Sequence, residues 1–198
     1  PAKVQKDELE NRKDLRNLLT VTIDGDDAKD FDDAISIVKN EKGYLLYVHI
    51  ADVSHYVKEN SALDQEAYLR GNSIYVCDRV VPMLPFDLSN GICSLNPNVD
   101  RLTITCAMQV DERGNLLTYN VFPSVIHSDK RCTYKKVNAC LAADETILEE
   151  YSEVKDLLFT LESLAKLLKK QSHNRGCIDF NTKEAKIIMD KNGYPVDV

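Results

Sequence analysis

The chain has 198 residues, and its 25 basic and 32 acidic side chains give a net charge of −7. This acidic balance argues against a general binder of polyanions, but it is compatible with an acidic metal site that substrate fills. No run approaches the roughly 18 apolar residues that span a membrane, and the six cysteines form no C-x-x-C pair. We therefore expect a cytoplasmic protein with free thiols and no membrane partner.

Residues 1–17 are highly charged and predict a lead-in segment from a preceding domain, whereas residues 18–198 predict one α+β domain with a mixed, largely antiparallel sheet and packed helices. Apolar runs bounded by turn residues predict its strands, and apolar residues at helical spacing predict its helices. In chain order the predicted elements are strands at 20–24, 34–38 and 44–50 (the last one central), an irregular continuation at 51–57, a helix at 61–70, a short apolar piece at 73–76, an extended segment at 80–85, a hairpin of strands at 102–110 and 116–127, helices at 133–141 and 152–171, and strands at 185–189 and 194–198.

The stretch from Thr20 to Ile37 carries the chemistry. It holds six aspartates within ten residues, between two apolar runs that predict strands, and Lys29 is the only basic residue among them. Carboxylates this close repel one another and raise one another's pKa values, so the arrangement needs positive charge from outside. Mg²⁺ prefers hard oxygen ligands together with substrate phosphates and is the simplest candidate. The six residues are Asp24, Asp26, Asp27, Asp30, Asp32 and Asp33.

Two plainer interpretations compete with a magnesium site. A charge run is usually a solvated loop, but Asp24 directly follows Ile23 and Asp33 directly precedes Ala34, so these carboxylates lie at strand ends. A calcium-binding EF-hand loop does not fit the spacing, because the residues after Asp26 lack the third ligand and the turn glycine. We therefore place the magnesium interpretation first and the calcium loop last.

Several segments in a fixed order resemble the catalytic domain, often called RNB, of the ribonuclease II and ribonuclease R family, with the closest resemblance to its bacterial ribonuclease R branch. The segments are TIDGDDAKDFDDA from Thr22, VHIADVSHYV from Val48, RGNSIYVCDRVVPMLPFDLSNGICSLNPNVDRLTITC from Arg70, RCTYKKV from Arg131 and NRGCIDF from Asn174. Several ordered motifs are far more specific than one acidic cluster. The resemblance extends from about Leu18 to the end of the chain.

The resemblance implies processive hydrolytic 3′→5′ degradation of single-stranded RNA to nucleoside 5′-monophosphates, with Mg²⁺ as the cofactor and Mn²⁺ as a substitute. Among the carboxylates, Asp32 is implied to be the most rate-critical, with Asp30 supporting the site. For Asp26 and Asp27, ordinary turn chemistry is the better interpretation. The implied metal-binding residues are Asp24, Asp30, Asp32 and Asp33.

RNA contacts outside the acidic stretch are expected at one tyrosine and three arginines. The resemblance implies that Tyr75 packs against the terminal nucleotide and helps set the product size, with ordinary core packing as the alternative. Arg70, Arg79 and Arg101 are candidates for phosphate contacts, and surface salt bridges are an equal alternative. The family also has flanking OB-type RNA-binding domains and a downstream arginine-rich segment outside this chain. We therefore expect the N-terminal part of a catalytic domain, inactive alone, and the competing function is an inactive metal- or RNA-binding module.

Overall fold

The computed structural model of the chain describes residues 3–77, 79–178, 180 and 187–197. Its strands are β1 (Lys13–Asp14), β2 (Val21–Asp24), β3 (Asp33–Asn40), β4 (Gly43–Ala51), β5 (Ile74–Val76), β6 (Arg79–Val81), β7 (Asp100–Val110), β8 (Leu116–His127), β9 (Lys130–Thr133), β10 (Ile188–Met189) and β11 (Pro195–Asp197). Its α-helices are α1 (Val53–Tyr56), α2 (Ala62–Arg70), α3 (Tyr134–Leu141), α4 (Glu145–Glu150) and α5 (Lys155–Asn174), and short 3₁₀ and π turns cover Asp7–Leu9 and Asp87–Ile92. The predicted α+β class is confirmed.

One seven-stranded sheet, in the order β1-β8-β7-β4-β3-β2-β9, organises the fold. Neighbouring strands are antiparallel except at the two edges, where β1 runs parallel to β8 and β9 runs parallel to β2. The strand predicted to be central, β4, is fourth of the seven. The hairpins β5–β6 and β10–β11 are separate from this sheet, and the mixed, largely antiparallel arrangement agrees with the prediction.

Two apolar cores form against the sheet, because consecutive strand residues point to opposite faces. On β3, Ile35 packs into a core that includes residues of α3 and α5, whereas Ala34 packs into a second core. This second core contains Leu15, Leu95 and Phe31, which come from loops and the segment before β2. Phe31 lies in the middle of the acidic stretch, so this core fixes the position of that stretch against the sheet.

Three local predictions differ from the structure. The segment predicted as an irregular continuation of β4 contains the one-turn helix α1, because the Asp52 carboxylate accepts the His55 N–H at 3.2 Å and caps it. The pieces at 73–76 and 80–85 contribute to one hairpin, β5–β6. The long predicted helix at 152–171 begins at Lys155, after the separate helix α4. Of the strand predicted at 185–189, residues 185 and 186 lie outside the described residues.

The segment before β2 contacts the sheet directly. The Arg12 guanidinium lies 2.5 Å from the Asp52 carboxylate, and the two side chains are 9% and 5% exposed. The Leu15 N–H donates to the Val125 carbonyl at 2.9 Å. Part of the predicted lead-in segment is therefore held against β8 and α1, and the domain boundary after residue 17 stays a prediction.

A row of buried polar side chains crosses the centre of the sheet. Ser36 Oγ lies 2.8 Å from Thr20 Oγ1 and 3.1 Å from His49 Nε2. His49 Nδ1 lies 2.7 Å from Thr105 Oγ1, which in turn lies 2.5 Å from Ser124 Oγ. All five side chains are fully buried, and burial lowers the pKa of His49 from 6.5 to about 4. A neutral imidazole can donate at one nitrogen and accept at the other, which satisfies both of its neighbours.

Candidate active site

The acidic stretch forms a loop between two neighbouring antiparallel strands. β2 ends at Asp24 and β3 begins at Asp33, so these two carboxylates stand where the two strands of one sheet meet the loop. Within the loop, Phe31 is 3% exposed, whereas Asp30 on one side of it is half-buried and Asp32 on the other is exposed. The buried phenylalanine therefore anchors the loop and leaves carboxylates on both sides of it.

The loop is held in place through its own backbone N–H and carbonyl groups, so these contacts do not use its carboxylates. The Phe31 N–H donates to Ser94 Oγ at 3.0 Å, and that hydroxyl donates to the Lys29 carbonyl at 2.9 Å. The Phe31 carbonyl accepts the Leu95 N–H at 2.8 Å. Sequence reasoning did not identify Ser94 as part of the site, because its contact with the loop joins residues more than sixty positions apart.

Arg131 on β9 fixes the start of the loop. Its Nη2 donates to the carbonyls of Gly25 at 3.1 Å and Asp26 at 2.6 Å, and its guanidinium carbon lies 5.3 Å from the centre of the Phe31 ring. The parallel register of β2 and β9 pairs Arg131 with Thr22, which places the Arg131 guanidinium beside the loop. In the sequence, the segment RCTYKKV was the only indication that Arg131 matters. The register between two strands far apart in the chain cannot be read from the sequence.

The four predicted metal-binding carboxylates are close enough to repel one another. Burial raises the pKa of Asp24, and the charges of Asp33, Asp30 and Asp32 raise it further, while Arg131 opposes the shift. Asp32 is exposed as a residue, but partial desolvation of its carboxyl by the surrounding protein also raises its pKa, followed by the charges of Asp30 and Asp33. The structure therefore brings all four residues into one electrostatically coupled group.

The donor set fits a hard divalent cation in chemistry and charge, because carboxylate oxygens are the ligands that Mg²⁺ takes from proteins. Within the part of the chain that the structure describes, no three His, Cys, Asp or Glu side chains converge on one point as metal ligands. The fit therefore rests on donor chemistry and mutual repulsion, and not on a preformed coordination geometry.

Tyr75 on β5 stands between two hollows beside the acidic loop. One hollow, of about 440 Å³, also contains Asp30 and Asp32. The other, of about 660 Å³, contains Asp30 but extends along the loop toward Asp27 and to Phe86. The Tyr75 ring is 68% exposed, and its hydroxyl donates to Asp30 Oδ2 at 3.4 Å. Ordinary core packing, the alternative for this residue, does not describe so exposed a ring.

The three predicted arginines occupy different environments. Arg70 at the end of α2 is exposed and forms an ion pair with a glutamate one helical turn earlier, and Arg79 lies on the exposed β6 strand of the Tyr75 hairpin. Arg101 is only 3% exposed, and it donates to the Ser94 carbonyl at 2.8 Å and to the Gly91 carbonyl at 3.2 Å. The expectation of a phosphate contact does not suit Arg101, because burial and backbone carbonyls occupy its guanidinium.

A profile of the RNB domain matches residues 12–198, and the chain therefore belongs to the RNB-domain family. Curated relatives of this chain include bacterial proteins named ribonuclease R. The protein from Thermotoga maritima is 54% identical over 200 residues, which cover 100% of this chain and 28% of the relative. The Escherichia coli protein is 47% identical over 180 residues, covering 90% of this chain and 22% of the relative. The chain thus spans about a quarter of the length of these relatives, and the resemblance seen in the sequence is confirmed.

Solved structures show the same fold. Mycoplasma genitalium RNase R in complex with ribose-methylated single-stranded RNA is 37% identical, with a TM-score of 0.89, over 98% of this chain and 31% of that chain. The yeast protein Ssd1, described as a pseudonuclease, is 18% identical with a TM-score of 0.73 over 88% of this chain and 21% of that chain, which shows the fold alone.

Among the described residues, no helix has the length and apolarity that crossing a membrane requires.

Proposed function

We propose that the protein carrying this chain is a Mg²⁺-dependent exoribonuclease that hydrolyses single-stranded RNA processively from the 3′ end to nucleoside 5′-monophosphates. The observation that carries this proposal is the group of four mutually repelling carboxylates at the β2–β3 junction of an RNB domain. Such a group is unfavourable unless a cation and a phosphate occupy it. The Mycoplasma genitalium relative, solved in complex with ribose-methylated single-stranded RNA, supports the same substrate class.

The four carboxylates have separate roles in this proposal. Asp24 and Asp33, at the strand ends, would hold Mg²⁺ directly or through water, and Mn²⁺ is a substitute of the same preference for oxygen ligands. A cation held by these carboxylates would supply polarisation of the scissile phosphate and a lower pKa for an attacking water. Asp32, exposed at the end of the loop, is the most rate-critical carboxylate, and Asp30 supports it.

In this proposal, side chains around the loop position the RNA and take no part in the chemical step. Tyr75 offers its exposed ring to the terminal base, since stacking on an aromatic ring tolerates any base. Arg79, on the same hairpin as that ring, and the exposed Arg70, which donates to the Pro82 carbonyl just after this hairpin, are the proposed phosphate contacts. In the longer protein we propose that flanking OB-type domains hold the rest of the RNA, and that the protein acts in the cytoplasm.

The decisive experiment uses the full-length protein, a 3′-labelled or 5′-labelled single-stranded RNA, and product sizing with Mg²⁺. Asp32→Asn should abolish cleavage while RNA binding is retained, and chelation of the metal should have the same effect on the unmodified protein. Asp26→Asn is the matched control from the same loop, because its carbonyl and not its carboxylate contacts Arg131. Full cleavage by the Asp32→Asn protein would remove Asp32 from the site.

An inactive metal- or RNA-binding module is the second candidate, favoured by the occurrence of this fold in a pseudonuclease. Four repelling carboxylates argue against it, because a protein without catalysis gains nothing from keeping them together. We also propose that the 198-residue chain alone hydrolyses RNA weakly or not at all, since it spans about a quarter of its relatives. Robust exonuclease activity from the purified chain would contradict that part of the proposal.

A further inference from the structure

The larger hollow beside Tyr75 is also lined by Phe86, an aromatic side chain that the proposed active site does not use. Its volume is about 660 Å³, and the residues of the hairpin β5–β6 that line it are Tyr75 and Val80. Phe86, just before the π turn, and Asn90, within it, line the hollow as well. Phe86 is 52% exposed, so a large apolar ring lies open to a bound molecule next to the acidic loop.

The chemistry of this hollow suits a nucleotide. Hollows of roughly 300–1,000 Å³ hold small ligands, and this one joins apolar side chains with a few polar groups. Lys29 lines it, is exposed, and forms no ion pair with any other described residue. An aromatic ring matches the face of a nucleobase, and a lysine that lacks an ion-pair partner matches a phosphate. The hollow also adjoins the proposed active site, since Tyr75 and Asp30 line both hollows.

We propose that Phe86 stacks on an RNA base, so that the hollow holds a nucleotide on the side of Tyr75 away from Asp32. The inference rests on the proposed exoribonuclease function and adds a base position and a residue to it. Tyr75 then stands between two nucleotides, one beside Asp32 and one against Phe86. Phe86 determines affinity for the single strand and touches no reacting group.

The first test compares Phe86→Ala, Phe86→Tyr and unmodified full-length protein on a single-stranded homopolymer. Loss of one stacking ring should raise the KM for RNA about 5- to 100-fold, with a smaller change in kcat, and Phe86→Tyr should restore it. Tyr119→Ala is the control, because Tyr119 is 68% exposed on β8, at the other side of the sheet from the loop. An unchanged KM for Phe86→Ala, or an equal effect of Tyr119→Ala, overturns the inference.

The second test locates the base. A set of RNA oligonucleotides, each with one base removed at a different position, is bound to the unmodified protein. Removal of the base that stacks on Phe86 should weaken binding as much as Phe86→Ala does. With that one oligonucleotide, Phe86→Ala should cause no further loss of affinity. If Phe86→Ala and every abasic position weaken binding independently, the ring does not stack on a base. Unmodified protein that does not degrade RNA counts against the proposed function, whereas active protein with a silent Phe86→Ala change counts against this inference alone.

Discussion

The hydroxyl of Tyr75 lies 3.4 Å from Oδ2 of Asp30, which joins an exposed ring to one of the four coupled carboxylates. The charge of Asp30 is the main cause of the raised pKa of Tyr75, so the hydroxyl stays protonated and can donate. At this length the hydrogen bond is weak. The contact therefore orients the ring more than it stabilises the fold.

Removing the ring and removing the hydroxyl should have different effects. Tyr75→Ala should weaken RNA binding about 5- to 100-fold and change the length of the final product, because a stacking surface is lost. Tyr75→Phe keeps the ring and should bind RNA within about three-fold of the unmodified protein, since only a weak hydrogen bond is lost. Titration of labelled RNA and product sizing on a gel measure both effects. Equal losses for the two variants would show that the hydroxyl, and not the ring, is the important group.

Arg131 should be needed for the shape of the loop. Its Nη2 makes two hydrogen bonds to loop carbonyls, and each hydrogen bond to a charged group contributes about 1.5–3 kcal/mol. Arg131→Ala should therefore lower the free energy of unfolding by about 2 kcal/mol or more and lower kcat for RNA cleavage. Arg131→Lys should rescue little, because lysine lacks the planar group that lies against the Phe31 ring. Urea titration and single-turnover cleavage test this, with the exposed Lys135→Ala on α3 as a control.

The buried row through His49 should make the fold sensitive to acid. The pKa of His49 is 6.5 in the unfolded chain and about 4 in the fold, so the unfolded chain binds more protons between these values. The lowered pKa of His49 therefore makes the fold more stable above pH 6.5 than below pH 4. The free energy of unfolding should fall by about 3 kcal/mol as the pH drops through this range.

The variant His49→Gln keeps a donor and an acceptor but does not titrate. Urea titrations at several pH values between about 7 and 4 should give a shallower loss of stability for this variant than for the unmodified protein. Identical slopes for the two proteins would show that His49 is protonated in the folded state without cost.

Two glycines near the β2–β3–β4 region should differ sharply in tolerance. Gly43 has a φ of +115°, and an added Cβ would collide with the Val110 carbonyl and lie 2.9 Å from the Asp111 carbonyl carbon. Gly43→Ala should therefore lower the free energy of unfolding by about 2 kcal/mol or more. Gly25→Ala is the matched comparison, because nothing lies within 4 Å of its added Cβ. Thermal unfolding of both variants measures the difference, and equal melting temperatures would contradict it.

Elements with a strong local pattern were predictable from sequence, and the contacts between them were not. The helices predicted at 61–70 and 133–141 begin at Ser61 and Thr133, which cap α2 and α3, and such starts are predictable because an N-cap is a short-range hydrogen bond. Helix α1 was missed because one turn is too short to show a helical period. The burial of Arg101 depends on carbonyls of the 91–94 segment and could not be seen in the sequence.

In the candidate site, too, local features were predictable from the sequence and contacts between distant segments were not. Clustering of the aspartates is a local feature, so the sequence showed all six of them together, and the resemblance to the RNB family singled out Asp24, Asp30, Asp32 and Asp33. The groups that hold their loop are distant in the chain: Ser94 and Arg131 were missed because only the folded sheet brings them to it. The open Phe86 ring beside the loop was missed for the same reason.

The parallel pairing of β2 with β9 has a consequence for folding order. The acidic loop is synthesised before β9, and Arg131 on that strand follows it about a hundred residues later. Closing a contact over so long a separation is slow, because the intervening chain must lose its freedom first. A nascent chain therefore carries the loop without its two Arg131 hydrogen bonds until β9 has emerged from the ribosome, even after Ser94 and Leu95 are available to hold Phe31.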